Sequence, residues 1–205
     1  VIFAYAKVLV VVFYKLQLIQ EDVMKEIRIL IGNTVLGRQK TWGYPNGAPD
    51  ELFWIPIYPC TVTGTDNQGQ SVSKRFDVLR FGVHHPDGRS PHVVGLADQQ
   101  HYVIKNWLPN YRVHSAPSQE DGAWQVKDNF LIHDGPDNPS EIYATIGCIE
   151  IMGPQGFVRF NDLILSLSGL SDSSANRNSQ LAQIARSGKL SITYQKAVRP
   201  TLERA

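Results

Sequence analysis

The stretch FLIHDGPDNPSEIYATIGCIEI, residues 130–151, runs as an apolar strand ending on His133, a connection built of turn residues, and a Gly147-Cys148 pair that opens a second apolar run. Short apolar runs bounded by Gly, Pro, Asn and Asp read as buried strands. The same pattern recurs on both sides. Strands are expected in KEIRILIGNTVLGR around a turn at Gly32-Asn33, and over Phe53–Thr63, Arg75–Val83, His101–Lys105, Tyr111–His114, Trp124–Lys127, Phe130–His133 and Cys148–Met152, with a last one in KLSITYQKAV. Residues 41–51, TWGYPNGAPDE, concentrate turn formers and are expected to be loop. Helical signals come only after the Cys148 strand. Asn161-Asp162 can cap LILSLSGL with Gly169 as its stop, and SDSSANRNSQLAQIARSG places Leu181, Ile184 and Ala185 at helical spacing before Gly188. The expected fold class is therefore mainly β, a β-rich α+β fold with one or two helices after the Cys148 strand.

The chain has 205 residues, enough for one domain with a substantial core, and a single domain over 1–205 is the default. A formal net charge of +1 and no basic run interleaved with aromatics argue against nucleic acid as a partner. The opening VIFAYAKVLVVVFY is apolar but broken by Lys7, and falls short of the roughly 18–20 residues a membrane-spanning helix needs. No stable membrane span is expected. Its Val, Ile, Phe and Tyr content suits a strand, and a remnant of an anchor or of a longer protein over 1–20 is the alternative.

Cysteine acts as a nucleophile only as the thiolate, so a catalytic Cys148 needs a base and a site for an oxyanion. His133, at a rigid strand end, can supply the base. Gly147 allows close approach of a substrate carbonyl, and the backbone N–H groups around Gly147 and Cys148 can form the oxyanion site. The same two residues also fit a plain structural role, because free Cys is among the most buried residue types and a strand-end His is commonly a satisfied core residue. Asp134, a backbone carbonyl or Thr145 can orient the imidazole, and an Asp directly after His133 points to the opposite strand face.

WQVKDNFLIHDGP…TIGCIEI resembles the catalytic core of the L,D-transpeptidases, the YkuD-like domain, in which an apolar strand ends in His-Gly and a Ser/Thr-x-Gly-Cys motif begins a later strand. The resemblance covers about 30 residues and puts His133 at the general base, Cys148 at the nucleophile, Gly147 at the preceding glycine and Thr145 at the Ser/Thr position. It implies a β-sandwich or barrel, no cofactor and no metal, and acyl transfer on the stem peptides of bacterial peptidoglycan in the periplasm, the cell envelope or outside the cell. Asp134 stands between His133 and Gly135, Ile146 replaces a frequent His, and Glu150 occupies the place of an arginine associated with substrate carboxylates. Asp134, Gly135, Glu150 and Arg159 are the expected substrate-binding residues, with Arg159 the candidate to replace the missing cation. Such domains also serve as secreted toxins against competitors' walls, which would bring an immunity or secretion partner protein. A catalytically inactive wall-binding module of the same fold is the alternative function.

SPHVVGLAD, residues 90–98, partly resembles the signature of zinc D,D-peptidases, with Ser90, His92, Gly95 and Ala97 in place and Asp98 one residue early. That shift turns the carboxylate away from a ligand position, so a zinc peptidase is the weaker alternative. Cys60 is expected as a small buried strand residue, with a disulfide to Cys148 as the other option.

Overall fold

The computed structural model describes residues 24–48, 50–113, 121–170 and 176–205. The apolar run over 1–20, His114, and the Ser/Asp-rich start expected for the second helix lie outside the described residues. In chain order the strands are β1 (Ile27–Ile31), β2 (Gly37–Pro45), β3 (Leu52–Thr65), β4 (Ser71–Leu79), β5 (Phe81–His85), β6 (His92–Gly95), β7 (Gln100–Val103), β8 (Asn106–Leu108), β9 (Ala123–Lys127), β10 (Phe130–Asp134), β11 (Tyr143–Ala144), β12 (Ile149–Ile151) and β13 (Leu190–Tyr194). Helices α1 (Gly156–Leu167) and α2 (Arg177–Ser187) lie between β12 and β13. The fold is β-rich α+β, and among the described residues both helices follow the Cys148 strand.

Alternation explains the best-formed strands. In β1, Ile27, Ile29 and Ile31 are buried while Arg28 and Leu30 face out, and β13 buries Leu190, Ile192 and Tyr194 in the same rhythm. The two pair in parallel, Ile27 opposite Leu190 through Ile31 opposite Tyr194. The long β3 is the spine: it pairs with β2 over residues 52–57, with β1 over 60–63 and with β4 over 57–65. Its buried residues shift phase from Phe53 and Ile55 to Tyr58, Cys60 and Val62, at Pro56-Ile57, where β3 leaves β2 and takes up β4. The main run of pairing is β6-β5-β2-β3-β4-β12-β10-β9-β8. Parallel β10 and β12 thus sit side by side, with β9 and β4 flanking them.

Several elements differ from the sequence expectation. Residues 41–45 are strand, not loop, because β2 continues through Gly43 in parallel pairing with β5, and Thr41-Trp42 pair with β11. Gly43 is what permits this: a Cβ there would stand 2.9 Å from the Cβ of His85. Tyr111–Val113 form no strand. Arg75–Val83 divides into β4 and β5 around a wholly buried Arg80. Its Nη1 donates to the carbonyls of Gly32 and Gln195, both at 3.0 Å, and its Nη2 to that of Leu96 at 2.6 Å. Those carbonyls follow β1, β13 and β6, so one side chain ties three strand ends. The rings of Tyr58, Phe81 and Tyr194 surround the guanidinium at 5.3–5.5 Å. Asn161 does not cap α1. The helix begins five residues earlier, at Gly156, and Asn161 lies buried within it, accepting the indole N–H of Trp124 at 2.8 Å. In α2, Asn176 is the cap, accepting from the Ser179 amide, and Gly188 ends the helix with φ 70°.

Candidate active site

Strand periodicity and register together build the site. Parallel pairing sets Ile132 opposite Ile149, His133 opposite Glu150 and Asp134 opposite Ile151. Side chains alternate between faces, so Leu131 and His133 of β10 share one face with Glu150 of β12 and with Cys148 two residues before it. That face floors a pocket of about 320 Å³ lined by all four, together with Tyr44, Tyr111 and Asn129. Among the described residues no lysine or arginine lines it. The immediate cross-strand neighbour of His133 is Glu150, and Cys148 lies one step further along the strand.

His133 is 4% exposed, and its Nδ1 lies 2.7 Å from the backbone carbonyl of Asp134. A carbonyl oxygen only accepts, so in the neutral ring Nδ1 carries the hydrogen and Nε2 keeps a lone pair that can take a proton. The Tyr111 ring packs against the imidazole, centroids 5.2 Å apart. The Cys148 thiol donates to the Asn129 carbonyl at 3.7 Å. Burial, reinforced by the charge of Glu150 and opposed by a backbone contact with Leu131, pushes its pKa up to about 12. At neutral pH it is a thiol, and becomes a nucleophile only if a base removes its proton during attack.

Glu150 has no exposed surface, and among the described residues neither carboxylate oxygen has a hydrogen-bond partner of ordinary geometry. Burial, with some contribution from Asp134, pushes its pKa up to about 8, against a lowering influence of the nearby Thr145 hydroxyl. Gly135 holds it in place by close approach: a Cβ on Gly135 would come within 2.8 Å of the Glu150 Cβ. Gly135 is therefore packing behind the site.

The other expected residues are placed differently. Gly147 does not line the pocket; it has φ +92°, and a Cβ on it would stand 2.7 Å from the Gly95 Cα. Its lack of a side chain serves close packing on β6. Thr145 is buried, its carbonyl accepting from Val83 at 2.8 Å and its amide donating to Thr41 at 3.2 Å, so it anchors the loop before Cys148. Asp134 is buried and serves His133 through its carbonyl. Arg159 is exposed on α1 and lines a different pocket, with Lys74, Arg75 and Asp137. It brings no charge to Glu150.

Tyr44, Tyr111 and Asn129 are site residues the sequence reading missed. Only Asn129 left a signal, the Asp128-Asn129 turn between two apolar runs. Both cysteines are free thiols. Among the described residues no group of three or more His, Cys, Asp or Glu gathers to hold a metal, and no helix is long and apolar enough to cross a membrane. Comparison with family models, curated proteins and solved structures finds no match for this chain.

Proposed function

We propose that this chain is a cysteine acyltransferase or peptidase acting on bacterial peptidoglycan stem peptides, with L,D-transpeptidase or L,D-carboxypeptidase activity, in the periplasm, the cell envelope or outside the cell. One observation carries the reading: Cys148 and His133, whose Nδ1 is engaged by the Asp134 carbonyl, line the same pocket. Nε2 of His133 takes the thiol proton as Sγ attacks a peptide carbonyl carbon. The C–N bond breaks, the leaving amine takes the proton from the imidazolium, and the acyl group remains on Cys148 as a thioester. An amine or water then attacks the thioester, giving transfer or hydrolysis. Glu150, beside His133, favours the imidazolium formed during attack only when it is ionised, above a pKa of about 8. The stem peptide as donor rests on the resemblance of the His133 and Cys148 motifs, and secretion as an antibacterial toxin is part of the same proposal.

A buried thiol donating to a carbonyl also suits a packing residue, which favours a second reading: a wall-binding module without catalysis. Iodoacetamide labelling at neutral pH separates the two. Labelling of Cys148 that falls at least about 100-fold in His133→Ala supports the enzyme, in line with the usual worth of a general base. Equally slow labelling in both proteins sinks it.

A further inference from the structure

We infer that the pocket beside Cys148 is a binding site for a primary ammonium group, held by the Glu150 carboxylate and walled by Tyr44 and Tyr111. Glu150 is wholly buried, its two oxygens lack hydrogen-bond partners of ordinary geometry among the described residues, and it lines the pocket. An ionised carboxylate there is costly, so Glu150 holds its proton up to about 8 unless a bound group brings positive charge and several donors. An ammonium supplies three N–H donors. Among the described residues no lysine or arginine lines the pocket; the nearest candidate by sequence, Arg159, belongs to another one. Asp128, a second carboxylate among the described lining residues, is exposed, which makes the approach attractive to a cation and unfavourable to an anion. Tyrosine rings add their faces as further cation partners.

Position gives the site its meaning. Glu150 lies two positions after Cys148, about 6.5 Å at the usual strand rise, so a molecule anchored by its ammonium on Glu150 extends over the thiol. On the acyl-transfer reading, which this inference rests on for its role, the amine-bearing molecule is the acceptor or an amino-functional part of the stem peptide. Substrates bearing only a carboxylate near the reacting bond are disfavoured.

The test needs no chemistry at Cys148. Binding of n-butylammonium, n-butanol and n-butyrate to the wild-type protein is followed by amide NMR shifts, with Cys148→Ser and Glu150→Gln alongside. Butylammonium should bind at least tenfold more tightly than butanol, butyrate more weakly still, with shifts centred on Tyr111, Ile146 and Cys148. Cys148→Ser should keep that preference, and folded Glu150→Gln should lose it tenfold or more. Equal binding of butanol or butyrate by the wild type, shifts centred elsewhere, or full butylammonium binding by Glu150→Gln would each overturn the inference. The probe comparison in the wild type decides even if Glu150→Gln does not fold. Retained butylammonium binding with an unreactive Cys148 would defeat the enzyme proposal alone; loss of the preference with an intact thioester on Cys148 would defeat this inference alone.

Discussion

Cys60 and Cys148 are both free and both buried, yet only one sits where chemistry is feasible. Cys60 lies in the middle of β3, opposite Ile31 and Phe76 and inside the main apolar cluster. Burial alone pushes its thiol far above the ordinary range. Cys148 is nearly as buried, but it borders a pocket that also holds a histidine, a carboxylate and two tyrosines. Both thiols are inert as they stand, so exposure does not distinguish them. What distinguishes Cys148 is a histidine on the same strand face and a pocket beside it.

The widest gap between the two cysteines should appear on truncation. Cys148→Ala should lower turnover of stem peptides by about 10⁴-fold or more, while Cys60→Ala leaves turnover unchanged. Cys60→Ala should instead cost about 1–2 kcal/mol in urea denaturation, from the buried volume it empties. Equal loss of turnover in both variants would erase the distinction.

A second contrast concerns the carboxylate that only the Cys148 environment holds. The folded Glu150 keeps its proton up to about 8, whereas an unperturbed glutamate releases it near 4.5. The unfolded chain therefore binds fewer protons than the folded one between those values, and stability falls as pH rises through that window. The contribution is on the order of 4 kcal/mol across it. Urea denaturation at pH 5 and pH 8 should show this fall in the wild type and a flatter profile in Glu150→Gln.

Smaller effects test the surroundings. Gly147→Ala places a side chain at φ +92° against Gly95, and should lower stability by about 1–3 kcal/mol, read as a drop in Tm. Arg159→Ala should change turnover less than twofold and stability by no more than about 0.5 kcal/mol, since Arg159 is exposed and lines the other pocket. A large loss of turnover on Arg159→Ala would reconnect the two pockets.

The strands that alternate cleanly, β1 and β13 above all, were legible because one face of each is buried. Residues 41–45 were not, since Gly43 and Pro45 look like loop residues until the distant β5 and β11 supply pairing. The start of α1 was hidden for a local reason: Gln155 offers no capping side-chain bond, while Asn161 resembles a cap and is engaged by Trp124. In the site, His133 and Cys148 stood out by their motifs. The juxtaposition of His133 and Glu150 depends on a parallel register set by non-local pairing, which no local pattern carries. Nearness in sequence conceals that Arg159 lines the other pocket, and Tyr44 and Tyr111 come from segments far along the chain.

The decisive measurement is intact-protein and peptide mass spectrometry after incubation with a purified tetrapeptide muropeptide. The wild type should carry the acyl fragment as a thioester on Cys148, absent from Cys148→Ser and formed at least about 100-fold more slowly by His133→Ala. A folded wild-type protein that never acquires the adduct, or one acylated at the same rate without His133, would contradict the assignment of Cys148 and His133 as nucleophile and base.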